Sequence, residues 1–257
     1  MARTPVTIVA VGDVHGHHRR MVALVERWTT HHGVVPDAVI QVGDCEPHRH
    51  LDDLTTMAGP SKHKRLGDFA DFHEGRSRFP WPVYFIGGNH EPYGWLDQHP
   101  DGFELTHNCH YLGRAGSFEV RGVRVVGLTG IYSSNAPASR PHPNSIARHS
   151  NKDHIWTLPE DADVALDAGP AHVLITHDWP EDVLAQASAM DRRRHDTGNP
   201  HAQALLELLQ PRFMFCGHMH TRHERAIEHD DAPPTTFVGL DHILSGNDAI
   251  YGFSITP

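Results

Sequence analysis

The chain has 257 residues, of which 39% are hydrophobic and 21% charged, and its formal net charge is −10. That length suits one α/β domain with a sizeable core and is short for two, while the composition excludes a disordered chain. The acidic balance excludes broad adhesion to nucleic acid over the whole surface, though not a local basic groove.

Met1–Pro5 runs straight into Val6–Val11, a continuous β-branched run of the kind covered on both faces, so no secretory signal is expected. The run ends in Gly12-Asp13-Val14-His15-Gly16, where the one-residue gap puts Asp13 and His15 on the same side of the strand end. Met21, Leu24, Val25 and Trp28 then predict a helix. Asp13 as a mere cap of that helix would explain one Asp but not the His. Residues 37–44 repeat the arrangement: strand, glycine, then Asp44. From 45 to 80 the pattern weakens into an expected insertion over the strand ends, with the basic cluster Lys62-His63-Lys64-Arg65 and a helical stretch from Leu66 to Phe72. Val83–Ile86 is a third strand; it stops at Gly87-Gly88 and delivers Asn89, His90 and Glu91.

Short strands are expected at 111–113, 117–120 and 123–128, with a hairpin turn at Arg121-Gly122. Residues 133–157 form a second insertion, aperiodic and polar over most of its length. It holds Arg140, Arg148 and Lys152. Ala171–Asp178 is a strand ending in His177, and Arg192-Arg193-Arg194 form another basic loop. A helix around Leu205 precedes the strand that ends in Gly217-His218-Met219-His220, and the tail offers antiparallel strands at 224–228, 235–239 and 250–255. The three cysteines (Cys45, Cys109, Cys216) are too few and too scattered for a disulfide framework, which favours a reducing, cytoplasmic setting. No apolar run nears the roughly 20 residues of a membrane helix, so no membrane partner is expected. The 25 histidines make an isolated His poor evidence; only those at strand ends count.

Five strand ends therefore carry Asp13 and His15, Asp44, Asn89 and His90, His177, and His218 and His220. In an α/β fold the carboxyl ends of the strands converge on one crevice. Mixed imidazole and carboxylate donors suit Zn, Mn, Fe or Ni, and the count is enough for two divalent ions about 3.5–4 Å apart, which can hold a phosphate for in-line attack.

These blocks, in this order, resemble the calcineurin-like metallophosphoesterase superfamily. The resemblance implies a four-layer α-β-β-α sandwich, one domain over residues 1–257, with the metal site at the strand carboxyl ends. It implies Asp13, His15 and His220 on one metal, Asn89, His177 and His218 on the other, Asp44 bridging, and His90 as general acid or phosphate contact. Between those blocks, Met57-Ala58, Pro60, Lys62, Lys64-Arg65, Tyr111–Gly116, Gly130-Ile131-Tyr132, His177–Pro180 and Gly198-Asn199-Pro200 are similar to the RNA lariat debranching enzymes, which cleave a 2′–5′ phosphodiester. Two departures stand out: that family commonly has Cys where this chain has Asp13, and its eukaryotic members carry an extra C-terminal region.

The leading expectation is a metal-dependent phosphodiesterase acting on RNA or a nucleotide, with Arg140, Arg148, Lys152, Arg192, Arg193 and Arg194 facing the polyanion. The bland reading of each basic cluster is a solvated loop balanced by nearby acids. A phosphoprotein phosphatase or dinucleoside polyphosphate hydrolase is the alternative, against which Asp44 is followed by Cys45-Glu46-Pro47 in place of Asp-Arg-Gly. A non-catalytic scaffold ranks last, because no ligand position is missing.

Overall fold

Val6–Val11 forms β1, and every residue in it is buried. Although the run is apolar throughout, its side chains part by alternation: Val6, Ile8 and Ala10 enter one core cluster, Val9 and Val11 another. The computed structural model describes residues 4–144, 150–188 and 197–257. Beside β1 lie β2 (Ala38–Gln41), β3 (Val83–Phe85), β4 (Phe103–Thr106) and β5 (Cys109–Tyr111), with β12 (Ile250–Ile255) closing the other edge. The order is β12-β1-β2-β3-β5-β4; β1, β2, β3 and β5 run parallel, and both edge strands are antiparallel to their neighbours.

The second sheet repeats this plan. It consists of β6 (Ala115–Val120), β7 (Val123–Leu128), β8 (Val173–Thr176), β9 (Phe213–Cys216), β10 (His223–Ile227) and β11 (Thr235–Gly239), in the order β10-β11-β9-β8-β7-β6. The turn between β6 and β7 has positive φ at both Arg121 (46°) and Gly122 (86°), the backbone a two-residue hairpin requires. One expectation is corrected here: β11 is antiparallel to β10 but parallel to β9. A crossover places β11 beside a central strand, and local pattern does not encode that choice.

The two sheets face each other across Ile8, Ile40, Val125, Ile175, Phe215, Val238 and Phe253. Each fully buried side chain of this size contributes about 1.5–3 kcal/mol relative to exposure. Helices α1 (His18–His32), α2 (Phe69–His73) and α3 (Tyr93–Leu96) cover the outer face of the first sheet through Met21, Leu24, Phe69, Phe72 and Tyr93. Helices α4 (Pro159–Asp167), α5 (Glu181–Ser188) and α6 (Pro200–Leu209) cover the second through Ala165, Leu184, Leu205 and Leu206. This is the four-layer α-β-β-α sandwich. Within 66–72 the helix starts only at Phe69, because Gly67 has φ 64° and the Asp68 carboxylate accepts the backbone N–H groups of His18 and Arg19. Asp68, rather than Asp13, thus closes the start of α1. The three cysteines are buried free thiols. Among the described residues no helix is long and apolar enough to cross a membrane.

Within the 45–80 segment His48 is fully buried, with neither ring nitrogen hydrogen-bonded. Burial lowers its pKa from 6.5 to about 4; the charge of Asp53 opposes the shift, while His18, His90 and Lys64 reinforce it. The folded state therefore binds this proton less readily than the unfolded chain. The stability it contributes is complete above about pH 6.5 and is lost as pH falls toward about 4. His48→Leu should shift its melting temperature relative to the parent in the variant's favour between about pH 7.5 and about pH 5. A difference in melting temperature that does not change with pH would assign the acid sensitivity elsewhere.

Candidate active site

Three of the five strand ends, those after β1, β2 and β9, break into a turn that L-residues rarely adopt. Among the described residues, positive φ occurs at eight non-glycine positions, and five of them are His15, Asp44, Glu46, His218 and His220. Strain of this kind costs about 1–3 kcal/mol per residue and persists where the surroundings impose it, typically at functional sites.

The turns bring the predicted donors together. One ligand atom each from Asp13, His15, Asp44 and His220 falls in a group whose atoms all lie within 4.8 Å of one another. Asp13 Oδ2 is 2.9 Å from His220 Nε2, and the Nε2 atoms of His15 and His220 are 3.1 Å apart. Asp44 faces two ways: Oδ2 lies 3.9 Å from His15 Nε2, and Oδ1 lies 3.5 Å from His177 Nε2. His177 Nε2 is also 3.3 Å from Asn89 Oδ1, and the His218 ring stands against that of His177 at 5.1 Å. The backbone N–H of His218 donates to both oxygens of Asp13. Gly88 and Gly217 must lack side chains, since a Cβ there would come within 2.2 Å of Asp44 Oδ1 and 2.1 Å of Asp13 Oδ1 respectively.

The donor set fits metal ions. His177 Nδ1 donates to the Val42 carbonyl at 2.8 Å, an acceptor only, so the lone pair of Nε2 points at Asp44 and Asn89. His15 Nδ1 donates to Glu46 Oε1 at 2.8 Å, which turns its Nε2 toward His220. Two imidazole nitrogens 3.1 Å apart beside two buried carboxylates are a donor set suited to a divalent cation. The field is strongly negative: burial works to depress His15, yet its hydrogen bond to Glu46 and the charges of Asp44 and Asp13 lift its pKa to about 9. Burial works to raise Asp44, but His177, His90, His15 and His218 hold it well below the usual carboxylate range.

His90 lies alongside this group. Its N–H donates to Asp44 Oδ1 at 2.8 Å, its ring meets that of His15 at 5.5 Å, and its buried Nδ1 has no hydrogen-bond partner. Burial lowers its pKa against the pull of Asp44.

Two carboxylates given no role from sequence hold the site. Glu91, fully buried, accepts the N–H groups of Cys45, Glu46 and Gly88 and so staples the Asp44 turn to the Asn89 turn. Glu46 orients His15 and lies 4.0 Å from His90 Nδ1. The signal available for Glu46 was its place two residues after Asp44; its partners are set by the fold.

The expected substrate residues divide. Arg140 is only 14% exposed and donates to Asp161 at 2.5 Å and to the carbonyls of His154 and Trp156. These contacts tie the 133–157 segment to α4. Lys152 is exposed, next to Asn151, whose side chain donates to the carbonyls of Thr55 and Met57. Arg148, Arg192, Arg193 and Arg194 lie outside the described residues. The Lys62–Arg65 arm does reach the site: the His63 ring is 6.1 Å from that of His90, and a Cβ on Gly59 would touch His90 at 3.3 Å.

A family model described as calcineurin-like phosphoesterase matches residues 6–222. A lariat debranching enzyme of Entamoeba histolytica is 29% identical over 95% of this chain and 71% of its own length. The lariat debranching enzyme of Mus musculus is 30% identical over 94% of this chain but only 47% of its own, so the chain spans about half of that relative. Among solved structures, the TT1561 protein of Thermus thermophilus superposes with a TM-score of 0.53 at 12% identity, over 97% of this chain and 99% of the other. That last likeness is one of fold.

Proposed function

The chain belongs to the calcineurin-like phosphoesterase family, phosphoric ester hydrolases that depend on two metal ions, and from that premise we propose that it hydrolyses a phosphodiester in RNA or a nucleotide, with a 2′–5′ branch as the favoured bond. The observation that carries this is the arrangement around Asp44, whose two oxygens face separate donor groups: Asp13, His15 and His220 on one side, Asn89 and His177 with His218 on the other. In this reading each group would hold one ion, and Asp44 would serve both. By donor type the ions are Mn, Fe, Zn or Ni. When bound, they would neutralise the phosphate and lower the pKa of the attacking water.

The protein's own residues do the rest. Asp44 fixes the His90 backbone, and His90 gives a proton to the leaving oxygen or contacts the phosphate. Glu46 holds His15 in one tautomer, and Glu91 keeps the two turns in register. The nucleic-acid part of the reading is supported by the similarity to lariat debranching enzymes over nearly the whole chain and by the Lys62–Arg65 arm beside His90.

The test supplies Mn²⁺ and compares branched RNA, linear RNA of the same sequence, cyclic nucleotides, dinucleoside polyphosphates and phosphopeptides. Branched RNA should turn over fastest; preferential cleavage of phosphopeptides would overturn the reading. Reversing charge at Lys62, Lys64 and Arg65 should raise KM for an oligonucleotide and flatten its salt dependence, because fewer counterions are released. Bis-p-nitrophenyl phosphate, which reaches only the metals, should be hydrolysed at an unchanged rate. Equal effects on both substrates would make the arm a support of the site instead.

A further inference from the structure

A cavity of about 220 Å³ opens beside His218, lined among others by Tyr132, Ser133, Ser134, Asp178 and Thr197. We propose that it is a nucleoside subsite, taking the ribose and base attached to the scissile phosphate; the proposal rests on the phosphodiesterase reading above.

Both walls are anchored. On one, Gly130 N donates to the Gly87 carbonyl and Ile131 pairs with Trp156, which sets the Tyr132–Ser134 backbone against the Asn89 turn. On the other, Asn199 N donates to the Trp179 carbonyl and Asn199 pairs with Pro180, so Thr197 and Gly198 stand over the start of α5. The floor is Asp178, 5% exposed, whose carboxylate accepts N–H groups from Tyr132 at 3.1 Å and Trp179 at 2.9 Å. Each of its oxygens keeps a second lone pair.

The lining chemistry selects the ligand. The described lining has no Lys or Arg, and a buried carboxylate repels phosphate, so the phosphate belongs with the metal ligands and the cavity receives a neutral group. The Ser133, Ser134 and Thr197 hydroxyls lining the cavity with a carboxylate match a vicinal diol, which donates to the carboxylate and exchanges hydrogen bonds with Ser and Thr, the way a carboxylate commonly reads ribose. Ser133 Oγ accepts from Asn135 N at 3.1 Å, which leaves its O–H proton available for donation. Tyr132, edge-on to His201 at 6.0 Å, offers an aromatic face to the base at the rim. The volume is below the roughly 300–1,000 Å³ of drug-sized sites and on the scale of a single nucleoside.

Calorimetric titration of the Mn²⁺-supplied full chain with AMP and with inorganic phosphate tests this apart from turnover. The parent protein should bind AMP about tenfold more tightly than phosphate. Tyr132→Ala and, on the opposite wall, Thr197→Val should each close that gap while leaving phosphate affinity unchanged, which also shows that the variants are folded. Equal affinity for AMP and phosphate in the parent, or a gap that survives both substitutions, would overturn the subsite. A gap that closes as expected in a protein cleaving no diester would sink the phosphodiesterase reading and leave the nucleoside site standing. Diester turnover with no gap would do the reverse.

Discussion

Asp44→Asn is expected to abolish turnover and to strip metal from both positions. The substitution keeps the shape of the side chain and retains an oxygen to accept the His90 N–H, which Asp44 Oδ1 accepts at 2.8 Å. What it removes is the negative charge shared between His15 at 3.9 Å and His177 at 3.5 Å. An ordinary donor serves one ion, whereas this carboxylate faces both donor groups, so the loss should cooperate across the site. Metal content measured by emission spectroscopy should fall well below that of the parent. Turnover should drop by more than about 10³-fold, beyond the usual loss of a single electrostatic stabiliser. Normal metal content with a normal rate would dismantle the bridging assignment.

His90→Ala separates proton transfer from metal binding. The imidazole touches the metal donors only through ring contacts, 5.5 Å from His15, and its anchor to Asp44 is through the backbone, which alanine preserves. Both ions should remain, and the rate should fall on the order of 10²–10⁴-fold, the usual worth of a positioned acid or base. If metal is lost together with rate, His90 is a ligand and the division of labour around Asp44 must be redrawn.

The proposed metal donors were legible from sequence because each group follows the end of an apolar strand-like run, in four of five cases at a glycine. Val6–Val11 into Gly12-Asp13, and Val83–Ile86 into Gly87-Gly88-Asn89, are local signals: strand propensity, then a turn that only a bare backbone tolerates. The weaker elements escaped for equally local reasons. Phe103–Thr106 is a four-residue edge strand, and the start of α4 is marked mainly by Pro159 with Glu160 and Asp161 in the first turn.

Long-range partners follow a different logic. His15 and His220 are 205 residues apart, yet their Nε2 atoms lie 3.1 Å from each other, because parallel strands of two facing sheets end at the same level. The same topology decided what a charged side chain does. Arg140 and Lys152 read alike as basic loop residues, but the fold buries the first against Asp161 and leaves the second exposed. Glu91 stood in the sequence beside Asn89 and His90 with no partner to be read; three backbone N–H groups from two strand ends converge on it and make it the staple of the site. Sequence alone determined which residues stand at strand ends, since backbone propensity and turn chemistry are written within a few residues. The pairing of those ends, and the fate of each charge near them, came only with the tertiary structure, because burial and Coulomb energy depend on neighbours that the chain brings together by folding.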